Sequence, residues 1–269
     1  MLLLPGASLL LFYPDLGCRP MGDLELLVRP GTAVAFRVQL AAAGFAPLPR
    51  HPGLWTDGEL AFDLHEELLN AARIRTRRFA GWMDPGEVWA DRHLSHVEGA
   101  ELRVMGPEDT APYTAVHALR HSFGCLTWLV HLQLLLWAGL DWGRLKEKAR
   151  RYNLVRPLVY GLLFLGRAGG WLPDPAEVLL ERTPVRPGKA RLLGRIYGNR
   201  LGGEWGDGLW AYSIPSLCRR CWFLLETCFP QPKVLLQVFP RLPALLFPWP
   251  TPCACSSQWG AGAGSCAGS

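Results

Sequence analysis

The sequence predicts an α+β fold, a small mixed sheet followed by a helical region, and three observations carry that expectation. Up to about residue 105, short apolar runs with period-two alternation, such as "DLELLV" and "AFDLH", are broken by Pro, Gly and Asp-Gly turns. From Pro107 the pattern changes to long apolar stretches at helical spacing, from "APYTAVHALRHSF" to "VRPLVYGLLFLG". The composition agrees: of 269 residues 49% are hydrophobic and 19% charged, more apolar than an average soluble domain, so helices with wide buried faces are expected.

In order along the chain, Leu2 to Leu4 form a short strand that stops at Pro5-Gly6, and Ala7 to Phe12 read as a helix. The chain then turns at "YPDLG" into a second strand, where Leu24, Leu26 and Val28 take one face and Asp23, Glu25 and Leu27 the other. Pro30-Gly31 end it, Thr32 reads as an N-cap, and Val34, Val38, Ala41 and Ala42 recur at helical spacing until Gly44. "LPRHPGLWTDGELAFDLHEEL" reads as a loop or hairpin turning at Asp57-Gly58 and feeding a strand from Glu59 to His65. Phe62 and Leu64 share one of its faces, Asp63 and His65 the other. The basic run "RIRTRR" (Arg73, Arg75, Arg77, Arg78) reads as a solvated cationic face, with contact to an anionic substrate as the alternative. Four long helical patterns follow, with Asp141 placed to cap one of them. The expected organisation is a sheet domain over 1–105, a helical domain over 106–200, a Pro-rich helical or irregular extension over 201–250 and a disordered Gly/Ala/Ser tail over 251–269.

A net charge of +5 suits an anionic partner but is too small to choose among nucleotide, nucleic acid and membrane, and stable DNA binding is not expected. Of eight cysteines, Cys18 and Cys125 stand alone and six crowd the last fifth of the chain, with Cys218 and Cys221 forming a single CxxC. They read as reduced structural thiols in a cytoplasmic protein, not as a disulfide framework or a zinc site. The N-terminal apolar run lacks a positive flank and is interrupted by Pro5-Gly6, which argues against a signal peptide. Residues 122 to 140 carry no Asp, Glu, Lys or Arg, yet Ser122, Thr127, His131 and Gln133 favour a buried helix over a membrane span.

Two carboxylates at i and i+2 on a half-buried strand repel unless something positive lies between them. The pair Asp23 and Glu25 therefore suggests a divalent cation, Mg²⁺ as a hard ion for oxygen ligands with Mn²⁺ as the second choice, and Asp63 on a later strand can add a third carboxylate. A solvated edge-strand face is the bland alternative. Upstream, Gly6, Ala7 and Ser8 sit at a strand-to-helix turn whose small residues let backbone N–H groups approach a phosphate. Arg19 either reaches a triphosphate or pairs with a surface acid, and His65 either supports Asp63 and substrate or makes a structural hydrogen bond. His117 and His121, one turn apart without a third ligand, read as core or interhelical histidines.

Taken together, Arg19, Gly22, Asp23, Leu26 to Val28 and Asp63-Leu64-His65 resemble a known pattern. "PGASLLLFYPDLGCRPMGDLELLV" and "AFDLHEELL" are similar to uncharacterised bacterial nucleotidyltransferases of the polymerase β-like superfamily, in which a Lys-Gly turn, an Arg-x-x-Gly-Asp-x-Asp strand and a later Asp-x-His recur. The likeness continues through "HALRHSFGCLTWLVHLQLLLWAGLDWGRLKEKARRYNL" and covers roughly residues 1 to 200. It implies transfer of a nucleoside monophosphate from an NTP to a hydroxyl acceptor that the sequence does not name. Asp23, Glu25 and Asp63 would be the catalytic metal ligands, Asp63 would help deprotonate the acceptor, and Gly6, Ala7, Ser8 and Arg19 would hold the nucleotide. Pro5, Glu25 and Gln133 stand where relatives usually have Lys, Asp and Asp. The chain also starts almost at the phosphate-binding turn, so an N-terminal truncation stays open. So does a second reading, a degenerate nucleotide-binding or antitoxin-like module with a protein partner.

Overall fold

A computed structural model describes residues 1–197 and 206–238, apart from residues 20, 30, 50, 72 and 98. The strands are β1 (Leu2–Leu3), β2 (Leu24–Leu27), β3 (Ala46–Leu48), β4 (His51–Thr56), β5 (Ala61–His65), β6 (His93–Val97) and β7 (Ala100–Val104). They form a mixed seven-stranded sheet in the order β3-β4-β5-β2-β1-β7-β6. At its centre β2 runs parallel to β5 and antiparallel to β1, and β1 runs parallel to β7. The helices are α1 (Ala33–Ala42), α2 (Pro85–Ala90), α3 (Pro107–Arg120), α4 (Leu126–Ala138), α5 (Trp142–Arg151), α6 (Val155–Arg167), α7 (Asp174–Arg182), α8 (Pro187–Tyr197), α9 (Gly206–Ala211), α10 (Leu217–Cys228) and α11 (Pro232–Val238). The α+β expectation holds: strands end at Val104, and from Pro107 the described chain is helical.

Alternation along β2 sends its residues into two cores. Leu26 and Val28 pack with Ala33 and Leu40 of α1 and with Trp55 and Leu64. Leu27, with Leu2, Leu4 and Leu9, packs instead into a larger core that runs through α3, α4 and α6 to Phe223. Helix α3 lies at the centre of the helical half, in contact with α4, α5, α6 and α9. Its buried acids are paired: Asp109 accepts from Lys148 Nζ (2.6 Å) and from the Tyr152 hydroxyl (3.1 Å), and Glu108 accepts from the Asp141 N–H (3.1 Å). Gly161 lets α6 approach, because a Cβ there would sit 3.3 Å from that of Ala115.

Several local expectations change. Residues Ser8–Phe12 form a 3₁₀ rather than an α-helix. Strand β5 starts at Ala61, not Glu59, because Asp57 Oδ1 accepts from the N–H groups of Glu59 (2.9 Å) and Leu60 (2.8 Å) and holds them in the turn. Thr32 precedes α1 without capping it by its side chain; its hydroxyl donates to the Arg29 carbonyl (2.8 Å). Asp141 caps α5 as expected, accepting from the N–H groups of Gly143 and Arg144. The uncharged stretch 122–140 yields only α4, and no helix among the described residues is long and apolar enough to cross a membrane. Gln133 is buried within it and both ends of its amide are bonded to the Trp171 backbone (2.8 and 3.2 Å).

The solvated cationic face is corrected at one residue. Arg77 is 4% exposed and pairs with Asp207 of α9 at 3.0 Å, while Glu226 of α10 accepts from the N–H groups of Arg75 (3.1 Å) and Thr76 (2.8 Å). Gly206 completes this dock, since a Cβ there would lie 1.6 Å from the Leu119 carbonyl oxygen. Arg75 and Arg78 remain exposed. Cys218 and Cys221 are free, exposed thiols on α10. The Pro-rich stretch beyond residue 238, the tail and Cys253, Cys255 and Cys266 lie outside the described residues.

Candidate active site

The parallel pairing of β2 with β5 places Glu25 opposite Asp63 and Leu27 opposite His65. Because side chains alternate, Glu25, Asp63 and His65 project from one face, across strands separated by a single ladder spacing. One ligand atom from each of the three lies within 4.8 Å of the others, and this is the one such group of three or more His, Cys, Asp or Glu among the described residues. Asp23 stands at the entrance to β2, exposed. Gly53 on β4 leaves room for the cluster, because a Cβ there would be 3.1 Å from Asp63 Oδ1.

The electrostatics follow from this crowding. Burial and the charges of Asp23 and Asp63 push the Glu25 carboxyl up to about 7, against the opposing pull of His65 and Arg19. Asp23 is raised too, by burial and by Asp63. Burial would raise Asp63 as well, but His65, His51 and Arg73 outweigh it and hold that carboxyl below its ordinary value. His65 Nε2 lies 3.1 Å from Asp63 Oδ2. Although burial disfavours its charged form, Asp63, Glu25 and Asp23 together raise its pKa.

Asp23 and Glu25 also form one side of a cavity of about 220 Å³. Pro5, Gly6, Arg19, Met21 and Gly22 belong to the same rim. Across from them stand Tyr113, Thr114 and His117 of α3 and Trp128 and His131 of α4. Arg19 Nε donates to His131 Nε2 (2.9 Å), and its guanidinium reaches over Gly6, 3.8 Å from where a Cβ would be. That bond requires an unprotonated His131 Nε2. It agrees with a pKa lowered to about 4 by burial and by Arg19. Of the nucleotide-binding residues expected from sequence, Gly6 and Arg19 line the cavity, whereas Ala7 and Ser8 do not, and Ser8 is buried.

The five residues from α3 and α4 were not singled out as one wall by the sequence. His131 stood out only as a polar residue in an apolar helix, and His117 only as one of a pair with His121. The interhelical alternative holds for His117: it stacks on Tyr113, is tilted against His121 and meets Trp128 of α4 edge-on at 5.3 Å between centroids, and it also lines the cavity.

Comparison with curated proteins and with solved structures finds no match. A family model does match, over residues 1–168, the stretch that contains the whole sheet, the carboxylate cluster and both walls of the cavity. The chain therefore belongs to that family, described as an uncharacterised nucleotidyltransferase.

Proposed function

We propose that this protein transfers a nucleoside monophosphate from an NTP to a hydroxyl group of an acceptor, with Mg²⁺ or Mn²⁺ as the metal. The observation that carries this reading is the pairing of Glu25 with Asp63 across β2 and β5, while Glu25 and Asp23 line a cavity together with Gly6 and Arg19; Asp63 and His65 stand behind Glu25 and do not line it. The residues fit a divalent cation: burial and two neighbouring acids drive the Glu25 carboxyl to about 7, a cost that a positive partner would relieve, and three carboxylates suit a hard ion. Asp23, Glu25 and Asp63 would hold it, and a cation bound there would neutralise charge on the phosphates and on the transition state.

The chain's own groups divide the remaining work. Arg19, fixed by His131 and turned towards Gly6, binds triphosphate oxygens. His65, 3.1 Å away, helps to keep Asp63 ionised. The anionic Asp63 carboxylate then takes the proton of the acceptor hydroxyl as that oxygen attacks the α-phosphorus and pyrophosphate departs. Glu25 in place of Asp is compatible with this reading, since its longer side chain still brings an oxygen within 4.8 Å of the Asp63 and His65 ligand atoms.

Calorimetry on the full-length chain tests the proposal. NTP binding is expected to require Mg²⁺ or Mn²⁺ and to weaken at least about ten-fold in Asp23→Ala, the scale of losing one good charged contact. Binding that ignores the metal, with Asp23→Ala behaving as the parent protein, would overturn it.

A further inference from the structure

We infer that the α3/α4 wall of the cavity is a nucleobase pocket, in which Trp128 and His117 provide the stacking surface and Thr114 reads the edge of the base. The inference rests on the nucleotidyltransferase reading and specifies which end of the NTP lies where. The cavity holds about 220 Å³, below the roughly 300–1,000 Å³ of pockets that take a whole drug-sized ligand. An NTP seated there therefore extends beyond the cavity, with its base against one wall and its triphosphate leaving past the other.

Its two walls differ in chemistry. The sheet side carries Asp23 and Glu25 together with Arg19 and Gly6, groups that suit a metal-bound triphosphate. The helical side carries no carboxylate and no guanidinium of its own, and Arg19 touches it only at His131 (2.9 Å). Its imidazoles are uncharged: His131 accepts a hydrogen bond at Nε2, and burial beside His121 and Arg120 lowers His117 to about 3. A wall of neutral rings offers little to a phosphate and much to a flat heterocycle, for which stacking on aromatic side chains is the general means of recognition. Within this wall His121 lies on Trp128 at 5.1 Å with 26° between planes and Tyr113 on His117 at 6.4 Å and 26°, while His117 meets Trp128 edge-on at 5.3 Å and 65°.

An independent observation concerns Thr114. It is 3% exposed, lines the cavity, and its buried Oγ1 has no hydrogen-bond partner. Buried hydroxyls are rarely left unpaired. The edge of a base, with alternating donors and acceptors, supplies what this one lacks. A saccharide acceptor seated on the same rings is the competing occupant, and the experiment separates the two.

Equilibrium dissociation constants are measured with Mg²⁺ for ATP, GTP, CTP, UTP and inorganic tripolyphosphate, on the full-length protein and on Trp128→Leu, Trp128→Phe and Thr114→Val. Trp128→Leu and Thr114→Val should weaken the preferred NTP about ten-fold, within the range that stacking and a buried hydrogen bond supply. Tripolyphosphate should stay within about two-fold, and Trp128→Phe should retain most of the affinity. Thr114→Val leaves the ring chain intact and decides the matter if Trp128→Leu fails to fold. Equal losses for NTP and tripolyphosphate, or unchanged NTP binding with a raised KM for a saccharide acceptor, would overturn the pocket and leave the proposed function standing. A parent protein that binds neither NTP nor tripolyphosphate would remove both.

Discussion

A carboxyl group enclosed with other acids holds its proton more tightly in the folded chain than in the unfolded one, and Glu25, at about 7 against an ordinary 4.5, is such a group. Between those two values the native state binds more protons than the unfolded state, so stability falls as pH rises through that window. At roughly 1.4 kcal/mol per pKa unit the upper limit is about 3–4 kcal/mol, reduced by the partial exposure of the side chain. His65 acts in the same direction: its folded pKa is raised, so its contribution is complete below 6.5 and is lost as pH climbs through the folded value. Asp63, whose pKa is depressed, contributes above 3.8 and loses that contribution only in acid. The metal-free protein should therefore show a Tm that declines between about pH 5 and pH 8. Glu25→Gln should flatten the lower part of the decline, and added Mg²⁺ should raise Tm more at pH 8 than at pH 5, because a cation competes with the proton. Thermal unfolding across a pH series checks this, and a Tm that rises with pH in Mg²⁺-free buffer would contradict it.

Among the elements, the docking of α9 and α10 onto the 73–79 segment is the contact whose loss should be felt most. Burial and the nearby Arg120 push the Arg77 guanidinium down to about 10, with Asp207 opposing them. Removing that carboxylate leaves a buried charge without its partner, which typically costs about 3–5 kcal/mol. Asp207→Asn should thus lower stability by about 3 kcal/mol in urea titration. Glu66→Gln, which breaks the exposed pair with Arg37 (3.0 Å), should change it by less than about 1 kcal/mol. A small effect at Asp207 would mean that water reaches Arg77. The same contact marks a limit of reading by sequence. Asp23, Glu25, Asp63 and His65 were legible because strand alternation with period two keeps them on one face whatever the rest of the fold does. Arg77 was not, since its partner Asp207 comes from a distant helix and nothing local separates a buried arginine from a solvated one. Nor was the wall made by Tyr113, Thr114, His117, Trp128 and His131, because α3 is buried on most sides, polar residues included, and α4 is apolar around most of its circumference. Which side of each faces the cavity is decided only by packing.

At the scale of the molecule, one core runs from Leu2 and Leu27 in the sheet through α3, α4 and α6 to Trp210, Ile214 and Phe223. The family match ends at residue 168, yet Trp210 and Phe223 are fully buried and α9 rests on the end of α3. The folding unit is thus longer than the matched stretch. A chain ending at residue 200 should lose its sharp thermal transition or precipitate, because it exposes the apolar surface that Leu209, Trp210, Ile214 and Phe223 cover and strands Arg77. The whole chain should unfold in a single transition seen alike by near- and far-UV circular dichroism. Two separated transitions, or a well-folded shortened chain, would show the C-terminal helices to be accessory.

The register of β2 against β5 also bears on how the protein is made. Hydrophobic patterning through Leu26 and Leu64 selects the alignment, and a slip of one residue would turn every side chain of the strand to the opposite face. The alignment so selected brings Glu25 against Asp63, so for a bare chain the correct pairing is also the one that like charges resist. A divalent cation bound as proposed would remove that resistance while the strands come together. The ion of the finished cleft would then also be a template for its assembly.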